Sequence, residues 1–162
     1  MLFPSLRLAY MVIPTELRAA VSAAKCAADR GSSVIEQAAV ADLLESGAID
    51  RHLRRLTREL QRRRTALVDA LTRFGRGHFE LEGINAGMHI VARIPALPWS
   101  RFAELCARAL DLGLRLNPVR PHFLDPPDGV AVLLGFAAMP PAALTDAAQR
   151  LCRALAELDQ PA

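Results

Sequence analysis

The chain has 162 residues, 52% hydrophobic and 23% charged, a balance that excludes intrinsic disorder and suffices for one domain with a real core. No run approaches 18 apolar residues, and no basic segment followed by an apolar core and cleavage site opens the chain. A membrane span and a secretory signal are therefore not expected, and the cytoplasm is the default compartment. The formal net charge of +3 comes from 19 arginines and one lysine against 17 acidic residues, which by itself is weak evidence for a nucleic-acid partner.

In chain order, Pro4 and Ser5 make a break, and Leu6 to Ile13 is an apolar run that ends at Pro14 and carries one charge, Arg7. Such a run reads as a buried strand, and a buried strand tolerates an arginine only opposite an anion. Thr15 is the expected cap of a helix that reaches about Asp29, with Leu17, Val21 and Ala24 as its apolar stripe. Gly31-Ser32-Ser33 ends it, and a second helix spans about Val34 to Ser46 with Gly47 as its C-cap. The longest helix is expected from Ile49 to Phe74, roughly 39 Å, with Ile49, Leu53, Leu56, Leu60, Leu67, Leu71 and Phe74 as its seam. Arg63 and Arg64 interrupt that seam.

The second half changes character. Phe79 to Glu82 alternates, and Met88 to Pro95 reads as a strand paired with it through Gly83 to Gly87. Ser100 is the expected cap of a helix bearing Phe102, Leu105, Cys106, Ala109 and Leu110 on one face and stopped at Gly113. Leu114 to Asn117 predicts a short strand, Asp125 to Gly129 a loop, and Val130 to Phe136 a buried strand. Pro140 and Pro141 suit the first turn of a last helix, whose apolar face runs from Leu144 to Leu158. The order is a strand, three helices, then β-β-α-β-β-α: an α+β fold in which a small sheet packs with helices.

The opening stretch resembles the segment that follows the cofactor lysine in MocR/PdxR-type regulators, GntR-family transcription factors with an aminotransferase-like domain of the fold-type-I pyridoxal-phosphate class. The family wording there is Gly-Thr-Phe-Ser-Lys, one variable residue, then Leu-x-Pro-x-Leu-Arg-Leu-Gly-Tyr-x-Val-x-Pro. Leu2, Pro4, Leu6, Arg7, Leu8, Tyr10, Val12 and Pro14 match it, and Ala9 stands where glycine is usual. Ser32 to Gln37, Ala41 to Gly47, Arg51 to Leu56 and Arg62 to Arg64 look like the family's interdomain region, with Leu60 replacing a tyrosine. Ala86-Gly-Met-His89 and Leu133-Leu-Gly-Phe-Ala137 are similar to its Ala-Gly-Leu-His and Leu-Leu-Gly-Tyr-Ala motifs.

The resemblance implies three parts: residues 1–47 as a remnant of the large cofactor domain, 48–75 as the interdomain helix, and 76–162 as the C-terminal small domain. It implies that the Schiff-base lysine would precede Met1, that Arg7 contacts the phosphate of pyridoxal phosphate, and that this piece alone neither retains the cofactor nor transaminates. It also implies a homodimer in the parent family, and DNA binding only through a winged helix-turn-helix further upstream. Aminotransferases of this fold often hold the substrate carboxylate with an arginine near the position of Leu133; a core leucine is expected there, with Arg115 or Arg120 left to approach from elsewhere. The other readings are a fragment of a true aminotransferase, or an interaction module that pairs with a separately encoded large domain.

The remaining reactive side chains read as structural. Lys25, the only lysine, falls mid-helix and is expected at the surface rather than as a Schiff-base former. Cys26, Cys106 and Cys152 are expected to be reduced core residues, and neither they nor His52, His78, His89 and His122 have metal-ligand spacing. The arginines at 51, 54, 55, 58, 62, 63 and 64 are expected to form a solvated helix face or a subunit interface rather than a nucleic-acid stripe.

Overall fold

A computed structural model describes residues 8–85, 87–126 and 128–158. The described chain divides into two compact units, with the break between Arg55 and Leu56.

In the first unit, Thr15–Leu17 forms a 3-10 turn that leads into α1 (Arg18–Asp29), followed by α2 (Val34–Glu45) and the start of α3 (Ala48–Gly75). Thr15 caps nothing: the turn is closed by Leu17 N–H donating to the Pro14 carbonyl at 3.1 Å, and no side chain caps α1. α2 ends with Ser46 as C-cap, and Gly47 follows in the left-handed region that suits glycine just past a helix end. Residues 8–13 are not a strand, and Tyr10, Met11 and Val12 are 91%, 72% and 88% exposed. A strand needs a neighbouring edge for its N–H and C=O groups, and the described part of this unit contains no other strand to supply one. No described residue before Leu67 is buried.

The second unit contains the core. Its sheet has four antiparallel strands in the order β1-β2-β4-β3, where β1 is Glu80–Glu82, β2 His89–Ile94, β3 Asn117–Pro118 and β4 Val130–Gly135. α4 (Phe102–Asp111) precedes β3, and α5 (Pro141–Leu158) closes the unit with a proline at its first position. Alternate residues of β2 and β4 are apolar and fully buried: Ile90, Ala92 and Ile94 lie beside Val130 and Val132. All of them except Ile90 meet Leu105 and Ala109 of α4 and Ala154, Leu155 and Leu158 of α5 in one cluster. A second cluster joins Leu67, Ala70 and Leu71 of α3 to Ile90, Phe136, Leu144, Ala148 and Leu151. α3 is 28 residues long; of its expected seam Leu67 and Leu71 are buried, while Leu56 and Leu60 are only half-buried.

Three local expectations are corrected. Ser100 is not a helix cap, because Trp99–Arg101 forms a 3-10 turn and α4 begins at Phe102 without a side-chain cap. The third strand is Asn117–Pro118 rather than Leu114 to Asn117. Gly113 takes φ +76, and Leu114 N–H donates back to the Ala109 carbonyl at 2.8 Å. Leu114 and Leu116 then pack against both core clusters instead of joining the ladder, and Pro118 has no N–H to offer it. The cysteines are free but not core residues: Cys26 is exposed, and Cys106 and Cys152 are half-buried.

Candidate functional site

The sheet has two faces because successive side chains of a strand point to opposite sides. The face away from the buried set carries Val91 of β2, Leu133 of β4 and Asn117 of β3, which are direct cross-strand partners. Leu133 is thus half-buried beside Asn117 rather than a core residue. His89 stands opposite Gly135, so close that a side chain at 135 would press on the imidazole: an added Cβ would lie 3.3 Å from Cδ2. Arg93 is opposite Ala131, is ion-paired with Glu82 of β1 and lies 5.9 Å from the centre of the Phe123 ring. That guanidinium is already satisfied.

Of the two arginines proposed to approach Leu133, the structure brings in one. Arg115, Asn117 and Leu133 line a common cleft of about 150 Å³ whose remaining wall is apolar, with Met139, Leu144 and Leu151. Arg120 is directed elsewhere, 5.0 Å from the centre of Trp99, which itself stacks on Phe102 at 4.7 Å. A small apolar wall with one guanidinium and one carboxamide at its rim can accept an aliphatic or aromatic group that carries a carboxylate.

Arg7 lies outside the described residues. Lys25 is exposed, as expected, and its ammonium is held locally: it donates to Asp29 Oδ2 and to Ser32 Oγ, each at 2.6 Å. The hydrogen bond from Lys25 holds the Asp29 carboxyl below its ordinary range. A Schiff-base former must present an unpaired amine inside a cavity. Lys25 does not, so the described residues do not fit pyridoxal phosphate as a covalently held group.

The structure also gives roles that the sequence pattern hid. Arg63, an interruption of the α3 seam, is half-buried; its Nη1 donates to the Ala137 carbonyl and its Nε to Glu59 Oε1 at 2.8 Å. The i,i+4 spacing of Glu59 and Arg63 signals the second contact, but nothing in the sequence signals the first. His78 lines a cavity of about 360 Å³ with Arg76, Gln149, Cys152 and Arg153 between the end of α3 and α5. His52 is half-buried and its Nε2 has no hydrogen-bond partner. Among the described residues no three His, Cys, Asp or Glu side chains come together as metal ligands.

No family model matches the chain. Among solved structures it is similar to LysN, the α-aminoadipate aminotransferase of Thermus thermophilus, with TM-score 0.74 and 27% identity over 96% of this chain and 39% of that one. It shares the fold of the kynurenine aminotransferase of Pyrococcus horikoshii, with TM-score 0.75, 18% identity, and coverage of 91% of this chain and 36% of that one. By sequence it is 30% identical to the HTH-type transcriptional regulator YhdI of Bacillus subtilis over 83% of its length. It is 28% identical, over 98% of its length, to MocR of Rhizobium meliloti, a probable rhizopine catabolism regulatory protein.

The chain is MocR-like in sequence and aminotransferase-like in fold.

It spans 28% of YhdI and 32% of MocR. Its α+β architecture, with a small antiparallel sheet and helices, matches that of fold-type-I aminotransferases. No helix among the described residues is long and apolar enough to cross a membrane.

Proposed function

We propose that this MocR-like chain is the C-terminal part of an aminotransferase-like transcriptional regulator, serving in ligand sensing and dimerisation in the cytoplasm rather than in turnover. In this reading residues 1–47 belong to the large cofactor domain, 48–75 link the domains, and 76–162 form the small domain. Pyridoxal phosphate is held in the complete protein with Arg7 at its phosphate, and DNA is bound by a separate winged helix-turn-helix.

The observation that carries the reading is the state of position 133. A strand that in aminotransferases often presents an arginine to the substrate carboxylate here presents a half-buried leucine, with Arg115 and Asn117 at the edge of the same cleft. A site built that way binds an effector more readily than it fixes a substrate for proton transfer, because a bidentate clamp on the carboxylate is what sets a near-attack geometry. YhdI and MocR, both regulators by name, support the same reading.

The in-frame coding sequence immediately 5′ of the Met1 codon tests it. Gly-Thr-Phe-Ser-Lys, preceded by a cofactor domain and a winged helix, is the expected finding. A cofactor domain with no DNA-binding domain would replace the regulator with a true aminotransferase. A stop codon or unrelated sequence would point instead to a module that pairs with a separate large domain.

A further inference from the structure

α3 carries a line of arginines that the aminotransferase-like reading leaves unused. At 100° per residue, Arg51, Arg54, Arg55, Arg58 and Arg62 fall within an arc of roughly 100° and along about 16 Å of helix. All five are exposed. The opposite side of the helix holds Leu67 and Leu71, which are 4% and 0% exposed, so Arg58 and Arg62, in the same unit, lie on the face turned away from its core. Carboxylates do not neutralise them: Glu59 is the only acidic residue between Asp50 and Asp69, and it is paired with Arg63. Around Arg58 and Arg62 the helix surface forms an open groove in which Gln61 and Thr65 add neutral donors before Asp69 ends the positive line.

The geometry points to this stripe as a docking surface for the phosphate backbone of duplex DNA. Arg51 Nη1 donates to the Ser46 carbonyl at 3.0 Å. No carboxylate pairs with any of the five, and guanidiniums spaced in this way suit a linear array of anions that each can meet in a bidentate fashion. No aromatic side chain is interleaved with them from residue 51 to 62, so base stacking is excluded and the contact is independent of sequence. The stripe would hold DNA against the regulator body while the winged helix reads the operator. The choice of DNA over an acidic protein rests on the regulator reading above.

Fluorescence anisotropy of the full 162-residue chain with a labelled duplex of random sequence, titrated between about 50 and 200 mM NaCl, tests the proposal. Binding should weaken steeply, with a log-log slope of about −4, since each neutralised phosphate contributes about −0.9. The triple variant Arg55→Gln, Arg58→Gln, Arg62→Gln should lower that slope by nearly 3 units, and the matching triple Arg→Lys variant should keep most of it, with circular dichroism showing both folded. No binding at the lowest salt overturns the proposal, as does unchanged binding by the Gln variant. Capture by polyglutamate with no capture by the duplex overturns it in favour of an acidic protein. Because the duplex is random in sequence and the titration uses these 162 residues, this outcome is independent of the upstream coding sequence: either reading can fail while the other stands.

Discussion

The guanidinium of Arg63 joins α3 to the chain just beyond β4, by donating to the main-chain carbonyl of Ala137 while Glu59 steadies it at 2.8 Å. The side chain of Arg63 is 23% exposed and that of Glu59 38%, so the guanidinium is partly shielded while its carboxylate partner stays open to water. Charge-assisted bonds of this kind contribute about 1.5–3 kcal/mol each when one partner is ionised, and their loss would leave a carbonyl unpaired. Arg63→Ala should destabilise the second unit by about 2 kcal/mol, read as a lower urea midpoint. Arg63→Lys should recover only part, because lysine lacks the fork that reaches two acceptors at once. An unchanged midpoint in the alanine variant would show the contact to be without energetic consequence.

Gly75 and Arg76 should respond to substitution with opposite signs. A Cβ on Gly75 would lie 2.4 Å from Phe79 Cδ2 and 2.7 Å from Cε2, and that ring packs against both core clusters. Gly→Ala inside a helix ordinarily gains up to about 1 kcal/mol; here overpacking should make Gly75→Ala destabilising by about 1–3 kcal/mol. Phe79→Leu should relieve part of that loss in the double variant. Arg76 follows at φ +48, a left-handed backbone that suits glycine, so Arg76→Gly should raise the melting temperature by removing about 1 kcal/mol of strain. Thermal melts of the three variants and the double variant decide both signs.

The three thiols should react in a fixed order. Burial raises the pKa of Cys106 and pushes that of Cys152 up to about 11, whereas Cys26 is exposed. Only the thiolate is alkylated, and at about pH 8 a thiol of pKa about 11 is about one part in a thousand ionised. Iodoacetamide with peptide mapping should therefore modify Cys26 first, Cys106 more slowly and Cys152 last. The stability sign follows from proton binding: above the ordinary thiol value of 9.0 the unfolded chain loses the Cys152 proton before the folded one does. This contribution to stability is intact at neutral pH and declines from about pH 9 towards 11, and Cys152→Ala should shrink that decline in denaturant titrations.

The two units should differ in protection from hydrogen exchange. The described residues before Leu67 include none that is buried, whereas β2, β4 and α5 supply most of the first core cluster and half of the second. Amides with little apolar burial around them open locally at small cost, and core strands open only with global unfolding. Exchange of α1 and α2 should be nearly complete while Ile90, Val132 and Leu151 remain protected. Equal protection in both units would show that the first unit has a stabilising core of its own.

Local chemistry was sufficient for most of the elements. The 3.6-residue spacing of leucines and alanines marks four of the five helices, whereas α2 carries no such stripe and is delimited by Gly31-Ser32-Ser33 and Gly47. Pro141 opens the last helix, and the unbroken apolar run Val130 to Leu134 can be buried only as a central strand. Position 133 was also legible, since a leucine in place of an arginine is a fact of sequence. What sits beside it was not. That Arg115 and Asn117 share its cleft while Arg120 turns to Trp99 depends on how β3 docks against β4. The same holds for Leu114 and Leu116, whose alternation fits a strand until the core claims both side chains. Cys26 fits an apolar helix pattern, yet nothing described in its unit covers it. Sequence by itself therefore determined the periodicities, the charge pattern and the absent arginine, because these reside in residues near one another along the chain. The tertiary structure decided which apolar faces are covered and which donor meets which carbonyl, because Arg63 and Ala137 lie 74 residues apart and only packing brings them together.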